Sequence, residues 1–374
     1  MCDRHKLQCR NLILGLAFWV LSIPTHAFAV DPVDRHVALA AAHTQEVEGF
    51  ANRIQKLAAD NSAESILQLI IRIDNDSGLS VVARERLLYE AALAMAHVTP
   101  TPASEAFIEK LGNRKPETYV WLNEDPHHRH AGVPLFDIGA AARVTLRFWG
   151  QERAKHTALL LLAAGDSRLV DKYVVANEVD RAGITNACAT APTAQLAVYS
   201  ATVISRLQVG DPITPLAAML ASRLQDMPLY IALAKHGTAA TIMRLLPTLN
   251  QTLSPSDAFA VLVTASHRDE LVSAALLQMG RYADVLPAAQ ATLFEWLSDF
   301  THGGSAAAAL ARLNDAGIIR LLGDMLESET NDTTLRRVLL ALRLNGSDAA
   351  SSHLHRLESN PAASQKLKQE IAAW

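Results

Sequence analysis

The 374-residue chain is half apolar and only 5% aromatic, and its 34 basic and 38 acidic residues give a formal net charge of −4. No basic cluster interrupts that balance, which excludes nucleic acid as a partner, since a net-acidic surface repels a polyanion. With only Cys2, Cys9 and Cys188, the chain cannot be a disulfide-built scaffold and must rest on an ordinary apolar core, which this length can bury.

The chain opens on "MCDRHKLQCRNLILGLAFWVLSIPTHAFAV". Basic Arg4, Lys6 and Arg10 precede an apolar run from Leu12 to Ile23, then helix-breaking Pro24, then the small-x-small pattern of Ala27-Phe28-Ala29. That order predicts a secretory signal peptide over residues 1–29, cleaved near Ala29. The run is shorter than the roughly 20 residues that span a bilayer, and no later segment is long and apolar enough to do so. The expectation is an exported, periplasmic protein of 345 residues without a membrane span. Removing the leader, which carries +2, leaves a net charge near −6 and Cys188 as the one cysteine. "NACATAPT" places no base beside Cys188, which reads as a small buried hydrophobe.

Residues 30–111 read as an N-terminal helical region, where Val47, Phe50, Ile54 and Leu57 fall on one helical face. His36 and His43 stand seven residues apart, two helical turns, too far for both to grip one ion easily. Glu64-Ser65 has the letters of a lytic transglycosylase's catalytic pair, but the Gly-Leu-Met-Gln block expected after it is absent, so it predicts no glycosidase. Thr101-Pro102 marks a helix start: the side-chain oxygen accepts an orphan backbone N–H, and proline has none to leave unpaired. The same device recurs at Thr214-Pro215, Ser254-Pro255 and Asn360-Pro361.

The helical pattern lapses over 112–136, "GNRKPETYVWLNEDPHHRHAGVPLF". So long an irregular stretch inside a helical chain points to a functional or a disordered loop, and "TYVWL" within it fits a short strand or a helical turn. Tyr119 and Trp121 offer large contact area at low entropic cost and are the candidate partner-binding residues. His127, His128 and His130, with Glu124 or Asp125 beside them, are the candidate metal ligands. Zinc wants about four such ligands in a tetrahedron, and no HExxH pattern elsewhere supplies the rest.

From 137 to 374 helical spacing is continuous. Leu286, Ala289, Leu293, Trp296, Leu297 and Phe300 share one predicted face, and Gly150, Gly165, Gly210, Gly237, Gly280 and Gly346 are predicted to end helices. "ARLNDAGIIRLLGDMLES" (311–328) lies over "LRLNGSDAASSHLHRLES" (342–359) without a gap, and "IMRLLPTL" (242–249) echoes "IIRLLGDML" (318–326). The turns "LNDAG" and "LNGSD", each followed by an amphipathic helix, mark hairpins spaced roughly 30–40 residues apart. In these features the chain resembles the HEAT-like α-solenoid class, most clearly over 230–374. "QMGRYADVLPAAQ" (278–290) resembles the inter-helix turn of a tetratricopeptide repeat, interrupted by Pro287.

The predicted fold is all-α, stacked antiparallel helical hairpins forming a HEAT-like α-solenoid or an irregular helical superhelix. The resemblance implies a long surface for protein partners and needs no catalytic cluster. No G-x-S-x-G elbow or phosphate-binding glycine loop appears. The function expected is therefore an exported, non-catalytic scaffold or adaptor in the cell envelope, binding proteins and needing no cofactor. The alternative is a metal-binding protein or metal-dependent hydrolase with zinc on His127, His128 and His130.

Overall fold

A computed structural model describes residues 32–121, 132–313, 315–328, 331–359 and 365–372; the predicted signal peptide, the three candidate metal ligands and Asn360-Pro361 lie outside them. The described residues are helical apart from one two-stranded sheet and the connecting turns, and no helix among them is long and apolar enough to cross a membrane. The chain divides into two compact units, one ending at Leu146 and one running from Arg147.

The first unit holds α1 (Arg35–Ala42), α2 (Gln45–Ala59), α3 (Ala63–Asp74), α4 (Val81–Met95) and α5 (Pro102–Gly112). It also holds β1 (Tyr119–Trp121), β2 (Gly132–Pro134) and the start of α6 (Ile138–Ala164). Its centre is α4, which packs against α1, α2 and α3. That placement explains a helix buried on nearly every side, with Leu87, Leu88, Ala91, Ala92 and Met95 inside beside the charged pair Glu85 and Arg86. The predicted face of α2 holds: Val47 and Ile54 are buried, Phe50 and Leu57 half-buried. Thr101 caps α5 through a reciprocal box with Ser104, as the cap-plus-proline device predicts.

The second unit is an array of helical hairpins. Seven are present among the described residues, their first helices starting at Arg168, Ser200, Met227, Pro255, Pro287, Ala316 and Asp348. Successive starts are 27–32 residues apart. That is shorter than the roughly 40–47 residues of a HEAT repeat, so the array is an α-solenoid of short hairpins. The second helices form an unbroken file from hairpin 1 (Glu178–Thr190) through Thr214–Leu224, Ala239–Leu245 with its 3-10 continuation, Val272–Met279 and Gly303–Leu310 to Asp332–Asn345. First helices pack on first helices between hairpins 2 and 3, 3 and 4, and 6 and 7. One apolar cluster runs without interruption from Ala158 to Ile371.

Side chains reaching back one hairpin fasten the array. The last carbonyls of a helix lack intrahelical donors and need outside partners. Tyr199 donates to Leu161 O and Asp166 O (3.3 and 3.2 Å) at the end of α6, and Arg223 donates to Ala191 O (2.7 Å). Arg268 donates to Ala234 O and Gly237 O (3.2 and 2.8 Å), and Asn345 to Ala311 O and Leu313 O (3.0 and 2.9 Å). Each spans about one repeat of sequence.

Five local expectations change. Gly150 lies inside α6 rather than ending a helix, because an added Cβ would come 2.9 Å from Val179 Cγ1 and the missing side chain lets a neighbour approach. Thr214 is the first helical residue, not the cap, and its Oγ1 accepts the Thr238 N–H of the next hairpin at 3.3 Å. Pro287 opens its helix at the first position, where its missing N–H costs nothing, and does not interrupt one. Phe300 falls past the helix end at Trp296 and stands exposed, leaving the face it was predicted to share. The echo of 242–249 in 318–326 equates a second helix with a first helix and so is out of register, whereas 311–328 and 342–359 overlay in register.

Candidate partner-binding surfaces

The irregular segment of the first unit is anchored at both described ends. β1 and β2 pair antiparallel with Tyr119 opposite Pro134, Val120 opposite Val133 and Trp121 opposite Gly132. Alternation along β1 turns Val120 inward, 3% exposed, onto Ala38, Ala42 and Val82. Tyr119 and Trp121 therefore share the opposite face, each half-buried. Val33 N donates to Tyr119 O at 2.9 Å and bridges in parallel to Val120. Gly132 is required there, since a Cβ would stand 2.8 Å from Pro32 Cγ. The approach to β1 is held by Glu85, 1% exposed, whose carboxylate accepts from Glu117 N (2.5 Å) and Thr118 N (2.9 Å). A buried carboxylate is tolerated there because two backbone amides satisfy it. Residues 122–131, with His127, His128 and His130, lie outside the described residues.

Arg86, 7% exposed, forms the densest polar cluster of this unit. Its guanidinium donates to Ala42 O (2.8 Å), to both oxygens of Glu48 (2.6 and 3.2 Å) and to Glu90 (2.7 Å). His43 Nδ1 lies 2.9 Å from both Arg86 Nη1 and Glu48 Oε1. The Arg86 hydrogen bonds, and then His43, hold the Glu48 carboxyl down at about 2 from a usual 4.5. Through these hydrogen bonds the cluster joins the end of α1, α2 and α4. The folded value lies below the unfolded one, so the contribution of Glu48 is complete above about pH 4.5 and lost as pH falls toward about 2. Urea midpoints of the first unit should fall through that window, and Glu48→Gln should flatten the fall; an unchanged slope would contradict the assignment.

Arrangements with catalytic residue types resolve into structural roles. Ser273 Oγ lies 3.3 Å from His302 Nδ1, but Asp299 accepts from the backbone N–H groups of Thr301 and His302 (3.0 and 2.6 Å) and does not orient the ring. Ser200 donates to Asp226 at 2.5 Å, and Asp226 caps the following helix at Leu229 N (3.1 Å). Glu64 accepts from Gln68 on an exposed face of α3. Cys188 is buried as predicted, and desolvation pushes its thiol up to about 12, too high for a nucleophile. Among the described residues no group of three or more His, Cys, Asp or Glu is placed to hold a metal.

The second unit carries features invisible without the hairpin register. At the turns between first and second helices, large apolar side chains project into water: Val175 is 84% exposed, Val209 70% and Phe300 82%. Val175 ends the first helix of hairpin 1, Val209 directly follows that of hairpin 2, and Phe300 stands in the turn after that of hairpin 5; stacking sets these turns along one edge. Exposed His236 and His267 hold the equivalent places in hairpins 3 and 4. A cleft of about 530 Å³ opens between the second half of α6 and the two helices of hairpin 1. The signal that could have found the edge is an apolar residue before the polar turn in hairpins 1, 2 and 5, with Val175 and Val209 34 residues apart, about one repeat. Comparison of the chain with family models, curated proteins and solved structures finds no match in any of the three.

Proposed function

We propose that the chain is a non-catalytic helical-repeat scaffold that binds a protein partner along the turn edge of its second unit. The observation that carries this reading is the recurrence of Val175, Val209 and Phe300, each at least 70% exposed, at equivalent turns of the array. Single exposed apolar residues are ordinary on any surface, but apolar residues repeated along one edge of a solenoid form a binding strip. Tyr119 and Trp121 supply a second contact on the first unit. The cell envelope as the place of action rests on the leader-like residues 1–29, and zinc on His127, His128 and His130 remains the alternative on sequence grounds alone.

Site-specific photocrosslinking in cells tests the edge. Benzoylphenylalanine at positions 175, 209 and 300 should each give the same discrete adduct, while positions 198 and 285, exposed at the opposite edge, should give none. Equal adducts from both edges, or none from either, would overturn the reading.

A further inference from the structure

The cleft beside hairpin 1 has three walls: α6 with Ala158 and Leu161, the helix Arg168–Val175 with Leu169, and the start of Glu178–Thr190 with Ile184. Ala158, Leu169 and Ile184 are buried in the core, so the floor is apolar and fixed. Its volume, about 530 Å³, is within the range of small-molecule sites.

The rim is polar and its charges are unequally engaged. Asp180 is the one acid on it, and its carboxylate is held by Asn177 Nδ2 at 3.0 Å. Lys172 and Arg153 are the cations. Among the described residues Lys172 makes no hydrogen bond or ion pair. Its field reaches Asp166, but Arg168 already binds that carboxylate at 2.5 Å, and neighbouring Asp171 is taken by Arg206. An ammonium without a contact partner thus stands over an apolar floor.

We infer that this cleft binds a single-chain amphiphilic carboxylate, with the acyl chain along Ala158, Leu161, Leu169 and Ile184 and the head group against Lys172 and Arg153. A neutral head would forgo the ion pair, and a cationic head would meet two like charges. Val175 lines the lip of this cleft and also stands on the turn edge, but ligand binding here requires no protein partner.

Calorimetric titration of the full chain with decanoate, decanol and decyltrimethylammonium, each below its micelle concentration, tests it. The expected result is saturable one-to-one binding of decanoate, about tenfold tighter than the other two. Lys172 is exposed, so Lys172→Glu should leave the circular-dichroism spectrum intact while weakening decanoate and tightening the cation. Thr157→Trp, on the exposed lip, should fill the cleft and abolish all three. Equal affinity for the three head groups, or decanoate binding unchanged by Lys172→Glu, would overturn the proposal whether or not the tryptophan variant folds.

Discussion

Gly183→Ala is expected to destabilise the second unit by about 2 kcal/mol, although alanine is the better helix former. The added Cβ would stand 2.3 Å from Gln151 O, 2.7 Å from Ala154 Cβ and 3.0 Å from Lys155 N. Two of those neighbours are backbone atoms of α6, which no rotamer change can move aside. Alanine returns roughly 1 kcal/mol of helix propensity, against overpacking costs that run to about 3 kcal/mol and sometimes beyond. Gly49→Ala is the control, because Gly49 is an exposed position within α2 and its Cβ would meet nothing within 4 Å. It should stabilise the first unit by about 0.5–1 kcal/mol. Urea midpoints measure both, and a Gly183→Ala protein stabilised like Gly49→Ala would mean that hairpin 1 does not seat on α6.

Arg86→Met should cost the first unit about 3 kcal/mol, toward the lower end for breaking a buried ion pair because Glu48 and Glu90 keep some water. Methionine fills the volume of the arginine stem but leaves Ala42 O, Glu48 and Glu90 without their donor. Adding Glu48→Gln should recover part of the loss by removing an uncompensated charge. Loss of under about 0.5 kcal/mol in Arg86→Met would reduce the cluster to an ordinary surface pair.

These two positions also mark where sequence reading stops. Caps at Thr101 and Ser254 and the left-handed glycines Gly165, Gly210 and Gly346 were legible because each works within a few residues. The in-register repeat of 311–328 was legible because it is a local string matched to another. Arg86 instead meets partners 38 and 44 residues away, and nothing in "VVARERLLYE" names them. Gly150 looked like a helix end because glycine commonly is one, whereas here its use is to admit Val179. Tyr119 and Trp121 could be picked out by type, and only the inward turn of Val120 sets which face they share. The turn edge needed every hairpin boundary before its apolar residues could be seen to recur.

If this edge is the binding strip, its exposed apolar residues carry the affinity for the partner. The partner identified by the crosslink at Phe300 is titrated against the wild-type chain and against V175D/V209D/F300D, all three sites being exposed. About tenfold or greater weakening with an unchanged unfolding midpoint is expected when these apolar anchors are replaced by charge. An affinity equal to wild type would contradict the binding strip.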